Sequence, residues 1–155
     1  MNSVITKLVQ EHPEIDFEPG SEFCWSYETG TITYPKADES NDVFTASMCH
    51  EVGHALCGHS RFLSDVQLLK LEREAWAKGS EIAHASFGLN IPEAHIERCL
   101  DTYRDWLYER AICPTCKQCG IQSKSTEYSC VFCNTTWTVN QSRLCRVTKR
   151  RLKTH

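Results

Sequence analysis

Apolar residues recur at helical spacing along most of this chain and alternate along one stretch. Residues 3–11 suit a short helix, followed to residue 20 by a loop bearing prolines and a glycine. Phe23, Trp25 and Tyr27 then alternate with other residues, Glu28-Thr29-Gly30 suits a turn, and Ile32 and Tyr34 alternate again. This pattern predicts a β-hairpin. Pro35 to Ser40 is a polar connector. Asn41 or Asp42 suits the cap of a helix carrying Phe44, Met48, Val52 and Ala55 on one face, with Gly58 as its stop. A second helix starts near Ser64 or Asp65 and runs to about Ser86, before Gly88. A third starts at Pro92, a favourable first-turn residue, and reaches about Arg110 with a stripe of Ile96, Leu100, Tyr103 and Leu107. Cysteine-rich sequence follows from Cys113 to Cys133, then Trp137-Thr138-Val139. No internal repeat or low-complexity tract is present.

Four helices and a hairpin in 155 residues predict one α+β domain with a small appendage. Hydrophobic residues at 41% and charged residues at 24% are ordinary for a globular protein. The formal net charge of −3 excludes a general polyanion binder. The charge is uneven, however. From residue 140 to the end, Arg143, Arg146, Lys149, Arg150, Arg151 and Lys153 meet no acidic residue. Such a tail suits contact with nucleic acid or another acidic surface, and equally suits a solvated terminus. No segment approaches the ~18 apolar residues of a membrane helix. The first ten residues lack the charged and apolar pattern of a secretion signal. Ten cysteines then argue for metal binding and free thiols, and for a cytoplasmic location.

The chemistry concentrates at His50-Glu51-Val52-Gly53-His54, which reads H-E-x-x-H. Residues four apart share a helix face, so His50 and His54 can hold one metal ion. Glu51 sits about 100° around the helix, in reach of a water on that metal. The set suits zinc-dependent hydrolysis with Glu51 as general base.

A catalytic zinc takes three protein ligands. His59 follows His50 by nine residues, about 900° of helix, and so faces away unless the helix breaks first. Glu72 and Glu74 are further candidates, with His84 and His95 behind them. Glu72 shares a face with Leu68, Leu69, Ala75, Trp76, Gly79 and Ala83, which is apolar and partly small. Glu74 is flanked at i−4 and i+4 by Lys70 and Lys78, as on a solvated ion-pair face. A carboxylate on a packed face needs a partner, and a metal is a good one, so Glu72 is the predicted third ligand.

The run from His50 to His59, with Leu71-Glu72-Arg73-Glu74-Ala75 after it, resembles the ImmA/IrrE family of zinc metallopeptidases. Its members show H-E-[LIV]-G-H and then an E-x-x-A segment on the next helix. The resemblance covers about residues 22–90. It implies a minimal zincin-like domain: a small antiparallel sheet, an active-site helix and a glutamate-bearing helix. By that similarity His50, His54 and Glu72 are the ligands, Glu51 is the base, and the substrate is a regulatory protein. Related glutamate-zincins often carry Asp or Asn directly after the E-x-x-A alanine; this chain has Trp76. The substrate strand would lie along an edge of the 23–34 hairpin. Tyr103, His84 and His95 are candidate donors to the oxyanion.

Cys113, Cys116, Cys119, Cys130 and Cys133 form a C-x2-C-x2-C-x10-C-x2-C array. Paired C-x2-C segments signal a structural zinc site. Cys116 and Cys119, followed by Gly120, are the predicted first pair, Cys130 and Cys133 the second, and Cys113 is the alternate. The segment resembles a zinc ribbon covered by Tyr128 and Trp137. The organisation expected is therefore a zincin-like domain over 1–111, a ribbon over 112–139 and a basic tail over 140–155. Cys24, Cys49, Cys57, Cys99 and Cys145 read as small buried residues or free thiols. Two further functional readings remain: an SprT-like protease acting on DNA-associated proteins, and a non-catalytic zincin-fold binding module.

Overall fold

The computed structural model describes residues 3–36, 41–143 and 145–152. The connector positions 37–40 and the end of the tail, Lys153 included, lie outside the described residues. The protein is mixed α+β, and its chain divides into two compact units. One comprises the chain to Arg61 together with Lys70–Ile96, and the other comprises Phe62–Leu69 and the chain from Glu97 on. Among the described residues, no helix is long and apolar enough to cross a membrane.

The first unit opens on α1 (Val4–Glu11), capped by Ser3, whose hydroxyl accepts from the Thr6 N–H. Three strands follow: β1 (Asp16–Gly20), β2 (Cys24–Ser26) and β3 (Thr31–Pro35). β2 and β3 form the predicted hairpin, with Gly30 at φ +69° in the turn. The sheet order is β1-β3-β2, and β1 runs parallel to β3. The sheet is therefore mixed rather than antiparallel, and residues 16–20 are a strand rather than a loop. Asp16-Phe17-Glu18-Pro19-Gly20 carries one apolar side chain and a proline, so it gives no alternating signal; Pro19 is accommodated because β1 is an edge strand.

Helix α2 (Asp42–Leu56) starts at Asn41, whose side chain accepts from the Val43 N–H at 2.8 Å. It ends as Gly58 enters the left-handed region at φ +66° and the His59 N–H bonds back to the His54 carbonyl at 3.0 Å. Helix α3 (Asp65–Phe87) ends before Gly88. The core of this unit gathers Val4, Leu8, Ile15, Ile32, Phe44, Met48, Cys49, Val52, Ile82 and Ala83.

What positions the site is the contact between α2 and α3. A Cβ on Gly53 would stand 2.3 Å from the Ala75 carbonyl oxygen, and one on Gly79 would stand 2.8 Å from that of Cys49. Both neighbours are backbone and cannot swing aside. Two glycines, one per helix, let the axes come close enough for side chains of α2 and α3 to share a site.

The second unit carries most of α4 (Glu93–Ala111) and four strands: β4 (Ile121–Lys124), β5 (Glu127–Ser129), β6 (Thr136–Val139) and β7 (Lys149–Arg151). They form one antiparallel sheet in chain order. Part of the basic tail is thus a strand, with Lys149 opposite Val139 and Arg151 opposite Trp137. Trp137 and Tyr128 stack at 5.8 Å beneath the cysteines. Arg110 is buried; its guanidinium lies 4.3 Å over Trp106 and donates to the Ser125 carbonyl. Tyr128 donates through its hydroxyl to Asp65, which also accepts from Gln122.

Candidate metal centres

In the first unit, α2 presents His50 and His54 one turn apart, and α3 brings Glu72 opposite them. His50 Nε2 lies 3.1 Å from His54 Nε2 and 3.2 Å from Glu72 Oε2, and His54 Nε2 lies 3.6 Å from Glu72 Oε1. Tetrahedral zinc with bonds of about 2.0–2.1 Å sets its ligand atoms roughly 3.4 Å apart. The three separations bracket that value. Glu72 is buried, and its Oε2 has no aligned hydrogen bond despite the nearby imidazole. Two imidazole nitrogens and a buried carboxylate crowded onto one point are what a cation requires, so the donor set fits zinc.

Burial works against ionisation of Glu72, but His50 and His54 outweigh it and hold its pKa down at about 2. Glu72 is therefore an anion across the neutral range. Glu51 sits beside the cluster, its Oε1 3.9 Å from His50 Nε2. Its Oε2 accepts from the Trp25 backbone N–H at 2.8 Å. Burial raises the Glu51 pKa, and the neighbouring histidines and the Trp25 N–H oppose that only in part.

The remaining histidines and glutamates sort themselves by geometry. His59 is not part of the three-residue cluster, but the break at Gly58 returns its ring to His54, with Nδ1 to Nδ1 at 2.9 Å. Its Nε2 faces Glu74 Oε2 at 3.2 Å. Glu74 therefore serves His59, and Lys78 pairs with Glu81 instead. Trp76 stacks on His50 at 4.2 Å between ring centroids, and His50 Nδ1 is buried with no hydrogen-bond partner. Of the oxyanion candidates, His95 contacts the Trp76 ring at 5.6 Å, while His84 Nδ1 pairs with Asn90 Oδ1 at 3.0 Å. Tyr103 belongs to the second unit, where Arg143 lies over its ring.

In the second unit the clustered thiols are Cys113, Cys116, Cys130 and Cys133. Sulfurs of Cys113 and Cys133 are 3.6 Å apart and those of Cys116 and Cys130 3.4 Å, close to the ~3.8 Å expected around zinc at bonds of about 2.3 Å. The two turns are built alike. The Lys117 N–H bonds to the Cys113 carbonyl at 3.1 Å, as the Asn134 N–H does to that of Cys130 at 2.9 Å. Cys113 N–H reaches the Gln118 carbonyl at 2.8 Å, as Cys130 N–H reaches that of Thr135 at 2.9 Å. Lys117 at φ +64° and Asn134 at φ +57° follow the second cysteine of each pair.

Cys119 therefore gives way to Cys113. It is exposed, opposes Ile112 in an isolated bridge, and turns its thiol to the Gly120 carbonyl. Gly120 is required for a different reason than a knuckle turn: a Cβ there would stand 2.3 Å from the Trp137 ring. Burial opposes ionisation of Cys113, but the N–H groups of Cys116 and Thr115 and the nearby thiols lower its pKa to about 6. Of Cys24, Cys49, Cys57, Cys99 and Cys145, only Cys49 is buried. Burial pushes the Cys49 pKa up to about 12.

No model of a known protein family, no curated protein and no solved structure matches this chain.

Proposed function

We propose that this protein is a zinc-dependent endopeptidase of the H-E-x-x-H type, with the first unit as a minimal zincin-like frame and the cysteine unit as a zinc ribbon. The observation that carries the reading is the convergence of His50, His54 and Glu72 at zinc-like separations, with the Glu51 carboxylate beside them. A zinc ion held there supplies a Lewis acid that polarises a carbonyl and acidifies a water. The chain supplies the rest. Glu51 takes the proton of the attacking water and hands it to the leaving amine. Burial keeps that carboxylate desolvated and more basic than an exposed glutamate. An extended peptide adds along β2, the edge strand whose Trp25 N–H already holds Glu51.

The substrate class is a protein, and the resemblance of His50–His59 and Leu71–Ala75 to ImmA/IrrE peptidases makes a regulatory protein the first to try. The SprT-like alternative needs a third histidine between His59 and His84; the sequence has none there, and the residue grouped with His50 and His54 is Glu72. The exposed arginines of β7, Arg150 and Arg151, favour nucleic-acid contact as a secondary property of the ribbon. A non-catalytic binding module would keep the zinc and cleave nothing.

The test is Glu51→Gln assayed on an unfolded protein substrate. Gln keeps the acceptor for the Trp25 N–H, so zinc content and stability stay while hydrolysis drops by at least 100-fold. Cleavage at the wild-type rate by this variant overturns the mechanism.

A further inference from the structure

His59 and Glu74 lie beside the histidine–glutamate cluster, and the hydrolytic mechanism does not use them. We propose that they form a positioning relay, Glu74 to His59 to His54, that fixes the ring and tautomer of His54 and strengthens its hold on the metal. The proposal rests on the reading that His50, His54 and Glu72 bind zinc.

Two imidazole nitrogens 2.9 Å apart share one proton: one nitrogen donates and the other accepts. His54 has its Nε2 turned to His50 and Glu72. A ligating Nε2 uses its lone pair, so the proton of neutral His54 sits on Nδ1. His59 Nδ1 must then be the acceptor, which puts the His59 proton on Nε2. That nitrogen faces Glu74 Oε2 at 3.2 Å, a carboxylate that can only accept. Every polar atom along the line is satisfied by this one assignment. The reverse assignment would take the lone pair from His54 Nε2 and set a proton against the metal position.

The backbone is arranged to make this line. Gly58 at φ +66° reverses the chain after α2, and the His59 N–H closes on the His54 carbonyl at 3.0 Å. The Trp25 indole donates to the His59 carbonyl at 3.0 Å and pins the turn from the other side. His59 is 6% exposed, whereas the Glu74 side chain is 46% exposed. The relay thus runs from a half-exposed carboxylate inward. His50 is treated differently. Its Nδ1 has no hydrogen-bond partner and its ring is held by the stacked Trp76. Polar support for the two histidines therefore comes through His54. Groups that hydrogen-bond a ligating histidine typically contribute 10–100-fold in metal affinity.

The experiment measures zinc affinity by competition with a chromophoric chelator, using the full chain with its ribbon already loaded. Glu74→Ala, at a half-exposed position that leaves the fold intact, is expected to weaken zinc at the His50 site about 10-fold, and Glu74→Gln by less. His59→Phe is expected to weaken it up to about 100-fold, with His59→Asn, which keeps an acceptor for the His54 Nδ1–H, recovering part of the loss. Lys70→Ala on an exposed face of the same helix is the unchanged control. Nitrogen-15 spectra of the zinc-loaded protein should place the His54 proton on Nδ1 and the His59 proton on Nε2. Glu74→Ala and His59→Phe binding zinc as tightly as wild type overturns the relay alone. A wild-type chain that takes no zinc beyond the ribbon's overturns the relay and the metal reading together.

Discussion

Trp25 holds Glu51 through its backbone N–H at 2.8 Å and holds His59 through its indole N–H to the His59 carbonyl at 3.0 Å. One residue of the edge strand thus ties both Glu51 and the turn that ends α2. Trp25→Phe keeps the strand N–H and most of the ring but loses the indole donor. The expected loss is about 1 kcal/mol in urea denaturation, the net contribution of one such hydrogen bond, with Glu51 still held. Unchanged stability would mean that the indole bond contributes nothing.

The Gly53–Gly79 contact sets the distance between α2 and α3, and hence between the two histidines and Glu72. Gly53→Ala gains helix propensity of roughly 1 kcal/mol, but it forces a Cβ against the Ala75 carbonyl. Overpacking against rigid backbone is expected to win, with a net loss of about 1–3 kcal/mol and weaker zinc binding at His50 and His54. Denaturant melts with and without zinc distinguish this from the stabilisation that propensity alone predicts.

In the cysteine unit, Cys113→Ser and Cys119→Ser should behave oppositely. The first removes one of four clustered thiols and is expected to release the structural zinc and unfold β4–β7. The second removes an exposed thiol outside the cluster and should change neither zinc content nor stability. Metal analysis and circular dichroism of the two variants provide the comparison.

Tyr128 makes stability depend on pH. Burial, and then the Asp65 carboxylate that accepts its hydroxyl, raise the Tyr128 pKa above its ordinary value near 10. A group bound more tightly to its proton in the folded state stabilises that state fully below the unfolded pKa. That contribution is lost as pH climbs from about 10 towards the folded value. Stability should therefore decline above about pH 10, and Tyr128→Phe should flatten the decline. Denaturation across pH 8 to 11 measures both.

Much of this architecture is written in periodicity. The α2 and α3 faces and Glu72 on the packed side follow from spacing, because helical geometry converts sequence distance directly into angle, and the cap of α2 falls on Asn41, one of the two residues that the sequence offers. His59 escaped the same arithmetic because the arithmetic assumes an unbroken helix. Gly58 marked the stop, but not that the chain would fold back onto His54. Glu74 lies on the exposed face that its flanking lysines suggest, yet its partner, His59, comes from outside that helix. β1 is paired by a long-range parallel register that Phe17 alone cannot signal. The choice between Cys113 and Cys119 turned on which residue adopts the left-handed turn. Glycine was the natural guess, whereas Lys117 and Asn134 adopt it and Gly120 makes room for Trp137.

The most direct measurement is zinc per chain after exhaustive dialysis, in the wild type and in Glu72→Ala. The account predicts two zinc ions in the wild type and one in the variant, with the ribbon's ion retained. A wild type that holds a single zinc, or a Glu72→Ala chain that still holds two as tightly, would contradict the assignment of His50, His54 and Glu72 as a metal centre.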